Sequence, residues 1–190
     1  MSNESKFNIF GSDGRRFVWR KVNTEMEPKN LQPTVKYGGD SVMVWGCMSA
    51  QGVGNLHFID GIMNQYIYLN SLKTNLAASA EKMGIKDDFI FTQDNDPKHT
   101  AKKIKAWLSN NVTEYLVTPP QSPDINPIDN LWDYLDRKIR DHNISSKETL
   151  KKALEEEWNK ITAETTRHLV DSMSKRLEAI IRSKGYPTKY

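Results

Sequence analysis

The chain has 190 residues, one cysteine and a formal net charge of +3 at pH 7. This length suits one domain with a sizeable core, and a single cysteine excludes a disulfide framework and favours an intracellular protein. No run approaches about 18 apolar residues and residues 2–6 are polar, so neither a membrane span nor a secretory signal is predicted. The mildly basic balance is compatible with nucleic acid without establishing it.

Strand patterns separated by turn-forming residues fill the first sixty positions. Residues 7–10 alternate like a β-strand, and residues 17–19 predict the strand that returns from the following turn. Residues 23–39 contain two prolines and two glycines and predict an extended loop. Residues 41–48 predict a buried strand, and residues 55–60 predict its hairpin partner.

Helical patterns dominate the rest of the chain. Apolar stripes and capping signals predict helices over residues 69–83, over 97–110, from Pro127, after a Ser145–Glu148 capping box, and over 165–183. Gly84 ends the first of these helices, and Asn126 caps the one that begins with Pro127. Short apolar strands at residues 89–91 and 115–117 lie on either side of the second helix.

This order of elements predicts the fold class. An antiparallel opening followed by strand–helix–strand units gives an α/β protein with a mixed sheet flanked by helices. The same order is found in the RNase H-like fold. With no repeat or linker in the pattern, residues 1–190 are expected to form a single domain.

Two aspartates occupy positions suited to phosphodiester chemistry. Asp94 follows the strand at 89–91, near the sheet edge where α/β proteins bind ligands. Asp129 lies in the first turn of the helix at Pro127, with 34 residues between the two acids. Divalent ions prefer carboxylate oxygens, and a pair of them activates water or a 3′-hydroxyl and stabilises the leaving oxygen. If the sheet brings Asp94 and Asp129 together, the pair can bind such ions.

Each candidate residue also has a structural interpretation. An acid early in a helix is favoured by the helix dipole alone, so its position leaves the role of Asp129 open. Asp94 is equally open, and a histidine at a helix entry, such as His99, is more often structural or solvated than functional. Four lysines near Asp94 form, together with His99, either a DNA-phosphate site or a solvated helix face; the lysines are Lys98, Lys102, Lys103 and Lys105.

Five segments resemble the catalytic domain of Tc/mariner superfamily transposases. They are residues 5–14 (SKFNIFGSDG), 38–47 (GGDSVMVWGC), 93–100 (QDNDPKHT), 122–132 (SPDINPIDNLW) and 183–190 (SKGYPTKY). The resemblance spans essentially the whole chain and implies a metal-binding triad of acids. Asp94 would be its second member and Asp129 its third. Tc-type members usually carry Glu at the third position and mariner-type members carry Asp, and both bind metal.

The first triad position departs from the family pattern. The family has a Ser-Asp-Glu-Ser-Lys-Phe string there, and this chain has Asn3 in place of the acid. Asparagine offers one neutral carbonyl oxygen instead of a charged carboxylate. The neighbouring Glu4 is expected to face the other side of a strand, so it is a poor substitute. The first strand is expected to be truncated, and the family's helix-turn-helix region is expected to be absent.

The resemblance implies cut-and-paste DNA transposition, in which element ends are hydrolysed and the 3′-hydroxyl attacks target DNA. It further implies two Mg²⁺ or Mn²⁺ ions held by Asp94 and Asp129, transposon-end and target DNA as partners, a homodimer and a nuclear location. Asn3 predicts weak or no activity. The main alternative is a non-catalytic, transposase-derived module that binds DNA or protein; an RNA nuclease of the same fold is a third possibility without supporting motifs.

Overall fold

The computed structural model of the chain describes residues 1–9, 24, 40–120, 122–184, 186 and 188–190. The strands within these ranges are β1 (Ser2–Asn8), β2 (Ser41–Ser49), β3 (Gly52–Val53), β4 (His57–Ile59), β5 (Ile90–Thr92) and β6 (Glu114–Leu116). The helices are α1 (Gln65–Lys82), α2 (Lys102–Asn111), α3 (Pro127–Ile139), α4 (Lys147–Asn159) and α5 (Ala163–Ser183). A 3₁₀ turn, Pro123–Ile125, leads into α3. No helix in the described ranges is long and apolar enough to cross a lipid bilayer.

Strand β2 is the centre of the antiparallel part. It pairs with β1 along one edge, so that Asn3 lies opposite Gly46, and with β4 along the other edge. The short strand β3 folds back onto the end of β2. Strands β5 and β6 form a separate parallel pair, and α2 makes the crossover that a parallel connection requires. The predicted mixture of antiparallel and parallel strands is therefore present.

The alternation of side chains along β2 builds one core on each face of the sheet. Val42, Val44 and Met48 pack on one side with the buried residues of α3 and α4. Trp45 and Cys47 point to the opposite side and pack with α1, α2 and Phe91 of β5. Because successive strand residues face opposite sides, one apolar strand supplies both layers.

Gly46 allows two tryptophans to approach the sheet. A Cβ at this position would lie 2.7 Å from Cη2 of Trp132 and 3.0 Å from Cη2 of Trp158. The two indole rings stack with centroids 5.0 Å apart, a contact that contributes about 0.5–1.5 kcal/mol beyond its area. This contact ties α3, which carries Asp129, to α4 and to the centre of the sheet.

The predicted helices are all present, with shifted starts; α1 begins at Gln65 rather than residue 69. The capping box of α4 uses Ser146 and Thr149 rather than Ser145 and Glu148, because the Thr149 hydroxyl accepts the N–H of Ser146. Helix α2 begins at Lys102 rather than residue 97. The intervening residues form a turn instead, in which the backbone carbonyl of His99 accepts a side-chain hydrogen bond from Gln93.

Two strand predictions need correction. The strand predicted at residues 7–10 begins and ends earlier, as β1 (Ser2–Asn8), and it includes Asn3 as its second residue. The β5 segment is not fully buried, since Ile90 is half exposed beside buried Phe91. The predicted strand at residues 17–19 lies outside the described residues, and so does the predicted loop at residues 23–39 apart from Thr24.

Candidate metal-binding active site

Asp94, Asp129 and Asn3 line one cavity of about 360 Å³. Asp94 reaches it from the segment after β5, Asp129 from the first turn of α3, and Asn3 from β1. The cavity is completed by Met1, Gln93, Asn95, Asp96, Thr118, Pro119, Pro120, Ser122, Pro123, Ile125 and Asn126. The fold therefore brings together three positions that are far apart in the sequence.

Two side-chain amides occupy both oxygens of Asp129. Nδ2 of Asn3 donates to Oδ1 over 3.0 Å, and Nδ2 of Asn126 donates to Oδ2 over 2.8 Å. Asn126 immediately precedes α3 at the N-cap position, but its side chain makes no capping hydrogen bond to the helix backbone. The side chain predicted to cap the helix therefore donates to Asp129 instead. Oδ1 of Asn3 accepts the backbone N–H of Glu4, which fixes the orientation of the Asn3 amide.

Burial raises the pKa of the Asp129 carboxyl, and the negative charges of Asp94 and Asp133 raise it further. The hydrogen bonds from Asn126 and Asn3 oppose this shift without cancelling it. The influence of Asp94 on Asp129 follows from their position on one cavity. A cation placed between two such carboxylates would relieve their repulsion and their desolvation.

The pKa of the Asp94 carboxyl is shifted in the opposite direction. Burial alone would raise the pKa of its carboxyl, but the hydrogen bond and the positive charge of His99 outweigh burial and lower it. Oδ1 of Asp94 contacts Nδ1 of His99 and also accepts the backbone N–H of Asp96 over 3.1 Å. Oδ2 has no hydrogen-bond partner among the described residues. That oxygen remains as a potential ligand atom.

His99 is held between two acids. Its side chain is completely buried; Nδ1 contacts Asp94, and Nε2 lies 3.0 Å from Oε1 of Glu4. Burial lowers the pKa of His99, but hydrogen bonds to Asp94 and Glu4 and their negative charges raise it to about 9. The ring is therefore a buried cation at neutral pH. Glu4 faces away from Asn3 along the strand, as expected from alternation, and is occupied by this histidine.

The predicted basic group divides into buried and exposed members. His99 is inaccessible, so it cannot contact a DNA phosphate in this conformation, contrary to the prediction. Lys98 is largely covered and forms ion pairs with Asp96 and Glu4. Three lysines stay exposed on α2; they are Lys102, Lys103 and Lys105. Lys103 lies over the ring of the exposed Tyr66, with Nζ 4.8 Å from its centroid.

Sequence patterns did not reveal the contacts that hold this site together. The sequence indicates Glu4 only as a poor substitute ligand and His99 only as a histidine at a helix entry, and no local pattern pairs them. Arg176 is buried beside the start of α3. Its guanidinium donates to the carbonyl of Asp124 and to Oδ1 of Asn130, next to Asp129. The His99–Glu4 and Arg176–Asn130 contacts join residues 95 and 46 positions apart, so no local sequence pattern indicates them.

Known proteins resemble this chain in sequence and in fold. The sequence model of the DDE superfamily endonuclease family matches residues 15–151, which include Asp94 and Asp129. The transposable element Tc1 transposase of Caenorhabditis elegans is 42% identical over 189 residues, which cover 100% of this chain and 69% of that protein. The Tcb2 transposase of Caenorhabditis briggsae is 40% identical with the same coverage.

Solved structures of Mos1 transposase have the same architecture. A pre-cleavage Mos1 transpososome matches with a TM-score of 0.83 and 20% identity over 99% of this chain and 56% of that one. A Mos1 paired-end complex with the left transposon end gives a TM-score of 0.81 and 21% identity over 100% and 55%. The chain thus spans about half of the length of these Mos1 proteins. The predicted RNase H-like fold is confirmed.

The family match and the long alignments with Tc1-type proteins agree with the segments noted in the sequence. The chain belongs to the DDE superfamily endonucleases and, within them, to the Tc/mariner transposases, whose catalytic domain it resembles in sequence and fold.

Proposed function

We propose that this chain is a transposase catalytic domain in which Asp94 and Asp129 bind divalent metal for DNA cleavage and strand transfer, and in which Asn3 weakens that activity. The observation that carries the proposal is the shared cavity, where Asp94 and Asp129 meet and the amide of Asn3 donates to Asp129. The natural substrates would be transposon ends and target DNA, handled by a homodimer in the nucleus.

The donor set fits Mg²⁺ or Mn²⁺. Both acids offer hard carboxylate oxygens. The raised pKa of Asp129 supports the proposal, because an adjacent cation would stabilise its ionised form. Mos1 paired-end complexes have been solved with Mn and with Mg. When bound, such ions activate the attacking oxygen and stabilise the leaving oxygen of the phosphodiester. The proposal includes two such ions, as the family resemblance implies.

The residues of the chain contribute orientation and charge. Asp94 presents Oδ2 while His99 and the backbone of Asp96 hold its other oxygen. Asp129 is oriented by Asn126 and by its place in the first turn of α3. The exposed lysines of α2 lie on the helix that follows the Asp94 segment, where they are suited to contact DNA phosphates.

Asn3 is the reason to expect impaired catalysis. Its Nδ2 donor points at Asp129, so a neutral N–H occupies one oxygen that the family pattern would share with a cation. Its own carbonyl oxygen accepts the N–H of Glu4. To serve as a ligand, the amide would have to turn and give up both hydrogen bonds, each contributing about 0.5–1.5 kcal/mol.

A cleavage assay tests the proposal. Oligonucleotide duplexes are incubated with the chain and with the variants Asn3→Asp, Asp94→Ala and Asn3→Asp/Asp94→Ala, in Mn²⁺, in Mg²⁺ and in EDTA. We expect little nicking by the chain itself, a clear metal-dependent increase for Asn3→Asp, and its loss in the double variant. Strong nicking by the unchanged chain that Asp94→Ala removes would contradict the impairment. Nicking that survives Asp94→Ala would contradict the site.

The hydrogen bond between Asn3 and Asp129 also favours a second candidate, a non-catalytic DNA-binding module, because the site is satisfied without metal. DNA binding measured against salt concentration distinguishes the two. The enzyme requires Mg²⁺ for tight engagement, whereas the binding module retains affinity in EDTA and loses it mainly with added salt.

A further inference from the structure

A buried chain of contacts links Glu4 on β1 to Asp94 through the ring of His99. Nε2 lies 3.0 Å from Oε1 and 3.1 Å from Oε2 of Glu4, and Nδ1 contacts Oδ1 of Asp94. Glu4 has about 9% of its side chain exposed and His99 none, while Asp94 keeps 41%. The network therefore runs from the interior to one oxygen of an acid at the cavity surface.

The histidine ring is fixed on its other sides as well. Tyr68 stacks on it with ring centroids 3.9 Å apart and planes inclined by 30°. The Tyr68 hydroxyl donates to Oε1 of Gln93 over 2.5 Å, and Nε2 of Gln93 donates to the backbone carbonyl of His99. Rotation of the imidazole away from Asp94 would therefore break contacts at both ring nitrogens and at one ring face.

We propose that Glu4 and His99 are positioning residues for Asp94, which hold its Oδ1 against the protein and leave Oδ2 as the oxygen offered to a cation. This inference deepens the proposed function and rests on it. Histidines and carboxylates behind a metal ligand commonly set its orientation, and their removal reduces metal affinity about 10–100-fold. Here the bridging ring stands between two carboxylates.

The topology explains why Glu4 takes this part. Adjacent residues of β1 face opposite sides, so Asn3 contacts Asp129 while Glu4 contacts His99. One short strand is thus connected to both acids of the site. Removal of the Glu4 carboxylate would leave Nε2 of His99 buried without its acceptor and release the ring that holds Asp94.

Manganese binding in the Asn3→Asp chain tests this role. We expect Glu4→Ala to weaken Mn²⁺ affinity about 10-fold or more, and Glu4→Gln, which keeps an oxygen acceptor for Nε2, to weaken it less. Glu178 provides a control, because its ion pair with Arg182 is exposed and lies outside the cavity lining. Glu178→Ala should leave Mn²⁺ affinity unchanged.

Metal-free NMR gives a second measurement that depends on neither turnover nor metal binding. In folded Glu4→Ala, the ring nitrogen signals of His99 and the carboxyl carbon of Asp94 should shift, while the carboxyl carbon of Asp129 stays in place. Unchanged Asp94 signals together with unchanged Mn²⁺ affinity would overturn the positioning role. Mn²⁺ binding to the Asn3→Asp/Asp94→Ala variant distinguishes the two proposals. If this substitution of Asp94 leaves Mn²⁺ affinity intact, the proposed metal site itself fails.

Discussion

The side-chain amide of Asn3 donates a hydrogen bond to Oδ1 of Asp129 over 3.0 Å, although 126 positions of sequence separate the two residues. Asn3 is nearly buried, and its carbonyl oxygen is bonded to the backbone of Glu4. A neutral group that satisfies Asp129 therefore stands where the family pattern has a third negative charge. This contact determines how the site should respond to metal and to pH.

Asn3→Asp should destabilise the metal-free protein and make its stability depend on divalent ions. The substitution replaces a donor by a carboxylate beside Asp129, which we expect to cost about 1–3 kcal/mol of unfolding free energy. Thermal unfolding in EDTA and in Mn²⁺ measures both effects. Asn3→Ala is the control, since it loses the hydrogen bond without adding charge and should gain little from Mn²⁺. An Asn3→Asp protein that Mn²⁺ does not stabilise would contradict the placement of position 3 at the metal site.

The two acids should titrate in a defined order. The pKa of Asp129 is raised and that of Asp94 is lowered, so Asp129 takes up a proton first as the pH falls from neutral. Because its folded pKa lies above the unfolded value, protonation of Asp129 adds stability as pH falls through the folded pKa. Asp94 contributes stability above its unfolded pKa that is lost as pH falls through its folded pKa.

Carboxyl carbon NMR on the metal-free protein measures this order directly. The midpoint of Asp129 should lie above 3.8 and that of Asp94 below it. In Asn3→Ala, Asp129 should titrate at a still higher pH, because a donor to its ionised form is lost. The reverse order of the two midpoints would show that His99 does not hold its charge next to Asp94.

The contribution of His99 to stability should disappear in alkaline solution. Its pKa rises from 6.5 to about 9 on folding, so this contribution is complete below pH 6.5 and is lost as pH rises through about 9. Urea unfolding at about pH 6 and about pH 10 should therefore show that Glu4→Gln costs more at the lower pH, with a difference on the order of 2 kcal/mol. Equal costs at both pH values would exclude a Glu4-stabilised imidazolium.

Arg176→Ala should destabilise the protein by about 2–4 kcal/mol, because a buried guanidinium loses hydrogen bonds to three elements of structure. These acceptors are the hydroxyl of Ser172, the carbonyl of Asp124 and Oδ1 of Asn130. Arg176→Lys should restore little, since an ammonium lacks the planar fork. Arg182→Ala is the matched control on α5; its exposed ion pair with Glu178 contributes at most about 0.5 kcal/mol. The measurement is the denaturation midpoint of the Arg176 and Arg182 variants. Equal midpoints for Arg176→Ala and Arg182→Ala would contradict the stabilising role of Arg176.

The sequence determined the layers of the fold and the positions of two of its acids. Apolar alternation in β2 and apolar stripes in the helices are local patterns, so strands and helices could be predicted to within a few residues. The same holds for Asp94 after a short strand and for Asp129 in a first helical turn. The family resemblance identified position 3 as the place of the first triad acid.

Only the tertiary structure decided what these residues touch. Polar residues usually lie at the surface, yet His99 and Arg176 are both buried by partners that no local pattern connects to them. The position of Asn126 before Pro127 predicts a helix cap, but its side-chain amide donates a hydrogen bond to Asp129. Strand pairing and helix packing bring residues together from distant parts of the chain. The hydrogen bonds and charges that set the site therefore exist only after the sheet and helices have assembled.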